Sequence, residues 1–90
     1  MINIEYKSKR SNLYELQVRA IISQLPTYSD DVEGASRVYE YFINKLPRES
    51  TVAPADCYKL EMAEDHKTFT IWHRNSIGDL DRIVAVVSNK

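Results

Sequence analysis

The hydrophobic period of this chain changes near its middle, and that change constrains the fold more than any other feature. Residues 11–46 carry apolar side chains at helical spacing, whereas residues 58–88 carry them at strand spacing in three runs. A short alternating run, Ile2, Ile4 and Tyr6, precedes both. The order reads β-α-α-β-β-β. It predicts an α+β fold of two layers, with a helical pair packed on a small, mainly antiparallel sheet.

The boundaries follow from local chemistry. Asn12, with Glu15 three residues on, has capping-box spacing, and Ser11 is an alternative cap. Leu13, Leu16, Ala20 and Ile21 then share one helical face, with Leu25 near its end. Val18 and Ile22 widen that stripe, and Pro26 is the expected stop. Ser29, Asp30 and Asp31 place acceptors and negative charge at the start of a second helix. Its apolar stripe is Ala35, Val38, Tyr39, Phe42 and Leu46, and Pro47 ends it. Residues 48–56 read as a loop.

In the second half, Tyr58, Leu60 and Met62 alternate with Lys59 and Glu61. Phe69, Ile71 and His73 alternate with Thr68, Thr70, Trp72 and Arg74. Polar turns are expected at 64–67 and 75–79. Residues 83–87 are apolar on both faces, which predicts a central strand or one covered on both sides. The first strand is expected beside it, in either sense. Of the six tyrosines, Tyr6, Tyr39 and Tyr58 fit core faces; Tyr14, Tyr28 and Tyr41 do not.

Ninety residues make one domain. A net charge of −1 lacks the pull on phosphate of a strongly basic domain. Lys7, Lys9 and Arg10 form a local basic segment, which reads first as a solvated connector and second as a nucleic-acid contact. Nucleic acid is therefore not the favoured partner. Cys57 is the only cysteine, so no disulfide forms within the chain and a reducing compartment is expected. No apolar run is long enough for a membrane span, and residues 1–7 lack the apolar centre of a signal peptide. The expected location is the cytoplasm, with no membrane association.

No complete catalytic, metal or phosphate-loop motif is present, and no cofactor is implied. Cys57, His73 and Asp56 have the side chains of a nucleophile–base–acid set but no spacing that joins them. Asp30, Asp31 and Glu33 are explained by the helix start. The more informative group is on the sheet. If Tyr58, Leu60, Phe69 and Ile71 point to the helices, the other face presents Lys59, Glu61, Thr68, Thr70, Trp72 and Arg74. Trp72 is then the largest apolar group on a polar surface, and Trp and Arg often dominate binding interfaces.

The segment Asp56-Cys57-Tyr58-Lys59-Leu60, the hairpin after it and the Val-rich run Arg82–Val87 resemble the RelE/ParE toxin superfamily. The resemblance implies a toxin acting on ribosome-bound mRNA or on gyrase, neutralised by an antitoxin. In the mRNA-cleaving branch it implies basic residues on the sheet that stabilise developing charge. Lys59 matches one such position. Glu61 has the opposite sign at the next, and Thr68, beside Lys67, stands where an early third-strand arginine is implied. The implied basic, tyrosine-bearing tail is not among the ninety residues. The favoured expectation is a non-catalytic protein-binding module, a regulator, accessory factor or inhibitor of the kind bacteria, phages and mobile elements carry. Its contact residues are Trp72, Arg74, Lys59, Thr70 and Glu61. A protein partner or a second copy of the chain would cover that face.

Overall fold

Short polar side chains start both long helices. Asn12 Oδ1 accepts from the Glu15 N–H at 2.8 Å, and Asp31 Oδ1 accepts from the Gly34 N–H at 2.8 Å. Caps of this kind are worth about 0.5–2 kcal/mol each. The computed structural model describes residues 1–46, 54–75 and 77–89. The expected helix stop at Pro47, residues 48–53 of the expected loop and Ser76 of the second turn lie outside the described residues.

The elements are β1 (Ile2–Tyr6), α1 (Leu13–Tyr28), α2 (Val32–Ile43), α3 (Pro54–Cys57), β2 (Tyr58–Met62), β3 (Thr68–Arg74) and β4 (Leu80–Asn89). The sheet order is β1-β4-β3-β2, and every pairing is antiparallel. β4 is central, as its two-faced apolar run predicts. β1 sits beside it, antiparallel, which settles the sense left open above. The α+β architecture is thus the expected one, with α1 and α2 on one face of the sheet. The expected loop at 48–56 is corrected at its end, where the short helix α3 leads directly into β2.

Helix α1 corrects three further expectations. Its buried face is Tyr14, Glu15, Val18, Ile22 and Leu25, not the stripe of Leu13, Leu16 and Ala20, which are exposed. The face is rotated because Glu15 faces inward. Its carboxylate does not return to the cap but accepts from Ser8 Oγ at 2.6 Å and from Arg82 Nη2 at 3.0 Å. With Glu15 held inside, Tyr14 and Val18 follow it and Leu13 turns out. Pro26 does not stop the helix. It lies in the last turn, where its missing N–H forfeits one backbone bond, and the chain stays helical to Tyr28. Tyr6, expected in the core, lies at its margin at 39 % exposure, with its hydroxyl against Ser23 Oγ.

Two bulges re-phase β4. Ile71 pairs with Ala85, but the next residue, Trp72, pairs with Ile83, so Val84 is the extra residue. Val84 and Ala85 are therefore both buried, and the Val84 carbonyl accepts the N–H groups of Lys7 and Ser8 at 2.8 and 3.2 Å. Without this bulge the two-residue alternation from Val87 would send Arg82 away from the helices. With it, Arg82 faces them and reaches Glu15.

The core joins Val18, Ile22 and Leu25 of α1 with Val32, Ala35 and Tyr39 of α2 and Phe69, Ile71, Val84 and Val87 of the sheet. The rotated face of α1 has a direct consequence. Ile22→Ala is expected to cost about 2–5 kcal/mol, whereas Leu13→Lys should shift stability by less than about 0.5 kcal/mol. Urea denaturation of both variants measures this; a larger loss at Leu13 would return the buried face to the stripe that spacing alone suggests.

Candidate functional site

The face of the sheet turned from α1 and α2 is set by register. Directly paired antiparallel residues share a face. Lys59 pairs with Trp72 and Trp72 with Ile83, while Glu61 pairs with Thr70 and Thr70 with Val86. Glu5 of β1 lies opposite Val86 and completes that row. This outer face therefore carries an apolar stripe of Trp72, Ile83 and Val86 on the two central strands. Thr68 and Thr70 lie along it, and Lys59, Glu61 and Glu5 border it as exposed charges. Trp72 is half-buried; its indole N–H lies on the buried side and meets no acceptor among the described residues. Trp72, Thr70, Lys59 and Glu61 are thus brought together as the alternation predicts.

Arg74, at the end of β3, joins Lys59 at a second feature that the sequence did not reveal. A cleft of about 300 Å³ opens between α2 and the edge strand β2. Tyr39, Glu40, Ile43 and Asn44 line it from α2, and Tyr58, Lys59, Leu60 and Arg74 from the sheet. Tyr39 is 2 % exposed, and its hydroxyl has no hydrogen-bond partner among the described residues. Burial, with Tyr58 and Tyr14 nearby, pushes the Tyr39 phenol far above its ordinary pKa, so it is a donor and not a phenolate. The Nε–H of Arg74 is likewise buried and unpartnered among the described residues. Lys67 is elsewhere: the length of the β2–β3 hairpin puts it about 17 Å along the strands from Lys59 and Trp72.

A third cluster lies under the start of α1. Arg82 Nε donates to Ser8 Oγ at 3.2 Å, and its Nη1 lies 3.7 Å from Asp81 Oδ1. Asp81 is the extra residue of the second β4 bulge and meets His73 Nδ1 at 2.6 Å. His73 also stands edge-on to Tyr58, which stacks on Tyr14. Tyr14 therefore belongs to the core, against the sequence expectation. The carboxylate on His73 Nδ1 is that of Asp81. Partial burial opposes ionisation of Asp81, but the His73 hydrogen bond and the charges of His73, Arg82 and Arg10 outweigh it and lower its pKa.

The basic connector is laced to the fold. Lys7 Nζ pairs with Glu5 at 2.7 Å, and Arg19 donates to the carbonyls of Ser8 and Arg10. Lys9 and Arg10 keep exposed side chains, and Ser8 between Lys7 and Lys9 is buried. Of the acidic residues at the start of α2, Asp31 is the cap, and its pKa is lowered by the Gly34 N–H and Ser29 hydroxyl it binds. Glu33 pairs with His66 at 2.7 Å, tying the β2–β3 turn to the helix. Tyr28 and Tyr41 are exposed and flank Phe42, with ring centroids 5.3 Å apart on each side. Among the described residues no group of three or more His, Cys, Asp and Glu side chains is placed to hold a metal ion. Nor is any described helix long and apolar enough to cross a membrane.

No family model, curated protein or solved structure matches this chain.

The lowered pKa of Asp81 fixes the sign of a pH effect. Its interactions contribute above the ordinary aspartate value of 3.8 and are lost as pH falls through the lower folded value. Asp81→Asn should therefore be less stable than the parent chain near neutral pH, and the gap should close well below pH 3.8. Thermal unfolding at the two pH values checks this; a constant gap would contradict it.

Proposed function

We propose that this chain is a small, non-catalytic protein-binding module, acting in the cytoplasm as a regulator, accessory factor or inhibitor. The observation that supports it is the outer sheet face, where Trp72, Ile83 and Val86 form an apolar stripe bordered by Lys59, Glu61 and Glu5. An apolar centre with a charged rim is the layout of a protein interface. The mechanism is surface complementarity: the exposed part of the Trp72 ring packs against the partner, and Lys59, Thr70, Glu61 and Arg74 fix orientation. A second copy of the chain, joined face to face, satisfies the same chemistry.

The toxin-like alternative requires Lys59, Lys67 and Arg74 to act on one RNA phosphate. Lys59 and Arg74 line one cleft, but Lys67 is at the far end of the hairpin, which favours the binding module. Capture from nuclease-treated host lysate by the parent chain and by Trp72→Ala tests the proposal. A stoichiometric protein held by the parent should bind the variant more weakly by over about 1 kcal/mol. Equal binding by a folded Trp72→Ala variant removes this face from the interface.

A further inference from the structure

We infer that the free edge of β2 pairs with the β2 edge of a second copy of the chain, about a two-fold axis at Leu60, joining two four-stranded sheets into one. This inference goes beyond the proposed sheet-face interface and does not rest on it. The hydrogen-bond phase of β2 decides which backbone groups are open. The Ala63 N–H donates to the Thr68 carbonyl at 2.9 Å, in the register that also pairs Glu61 with Thr70 and Lys59 with Trp72. Bonded and unbonded pairs alternate along an antiparallel ladder. Lys59, Glu61 and Ala63 therefore bond to β3, and the N–H and C=O groups of Leu60 and Met62 point out of the sheet edge. Among the described residues nothing hydrogen-bonds to these groups of Leu60 and Met62. Another extended strand is what satisfies such an edge.

Charge selects a second copy as the occupant. With the axis at Leu60, the two Leu60 residues lie opposite each other and exchange both backbone bonds. The same register sets Lys59 opposite Glu61 of the second copy, and Glu61 opposite its Lys59. These are unbonded pairs, where side chains lie closest and opposite charges stabilise. Both residues are exposed, and neither forms an ion pair among the described residues. An axis at Tyr58 or Met62 would set Lys59 against Cys57 or Glu61 against Ala63 and lose both pairs. On the helix side, the cleft along this edge, lined by Ile43 and Leu60, gives the second Leu60 an apolar seat. The other edge, β1, lacks the match. Glu5 is already paired with Lys7 within the chain, and an axis at the central Ile4 sets Glu5 against Asn3. The outer face stays open in this arrangement, so the pair presents its Trp72 stripe twice.

Sedimentation equilibrium of the full chain over a concentration series, with hydrogen exchange at the Leu60 amide, tests this. The mass should rise from 10.5 kDa towards twice that value, with protection of Leu60 rising in step. Lys59→Glu alone and Glu61→Lys alone each turn two attractive pairs into two repulsive ones. Each should weaken self-association about tenfold or more. An equimolar mixture of the two variants should restore it as a mixed pair, because one variant then presents two acidic side chains to the two basic ones of the other. That rescue also shows that both variants are folded. A chain still monomeric at about 1 mM, with a fast-exchanging Leu60 amide, overturns the inference. So does a dimer that is indifferent to both charge reversals. A dimer abolished by Trp72→Ala, with Leu60 unprotected, overturns it in favour of a face-to-face pair.

Discussion

The buried pair of Glu15 and Arg82 is the constraint on which the rest of the structure depends. Glu15 is fully buried, and the Arg82 side chain is 17 % exposed. Such a pair is not a large net source of stability, since desolvation of both charges offsets their attraction. Its effect is on specification. A carboxylate at this depth must meet a cation, and only one rotation of α1 presents it to Arg82. Ser8 completes the set by donating to Glu15 and accepting from Arg82, which closes the β1–α1 connector over the pair. The bulge at Val84 is the backbone counterpart, because it turns Arg82 to the helical side. One side-chain pair thus sets the helix rotation, the strand phase and the path of the connector.

The order of elements and the sheet face were legible in the sequence because both rest on alternation. Lys59, Glu61, Thr70 and Trp72 alternate without interruption through β2 and most of β3, and their placement followed. The rotation of α1 was not legible. A glutamate in a helix reads as solvent-facing, so spacing puts Leu13 and Leu16 in the core and leaves out Tyr14, while Val18 and Ile22, which widen the stripe, are buried as expected. The partner of Glu15 lies 67 residues away, and nothing in a local window links them. The bulge at Val84 was hidden for a related reason. A run of apolar residues from 83 to 87 looks two-faced whether or not one residue is extra. Pro26 does not end α1, because the loss of its one N–H bond is outweighed by the packing that holds the chain helical to Tyr28.

The candidate sites divide along the same line. The sheet-face group is a product of strand period and could be named in advance. The cleft depends on α2 meeting the edge of β2, which is a tertiary event. Tyr39 fits the core by spacing, and it is buried there. Lys59 and Arg74 were selected from sequence for the sheet face, and they also line the cleft. The two features share those cations at one end of the β2–β3 hairpin.

A double-mutant cycle on Glu15 and Arg82, using Glu15→Met and Arg82→Met with urea denaturation, tests the central constraint most directly. Each single variant strands one buried charge or its acceptors and is expected to lose about 3–5 kcal/mol. The double variant should recover much of that loss, giving a coupling energy in the upper part of the usual 0.5–3 kcal/mol range. Additive losses would show that the two side chains act independently, and that the rotation of α1 is set by apolar packing alone.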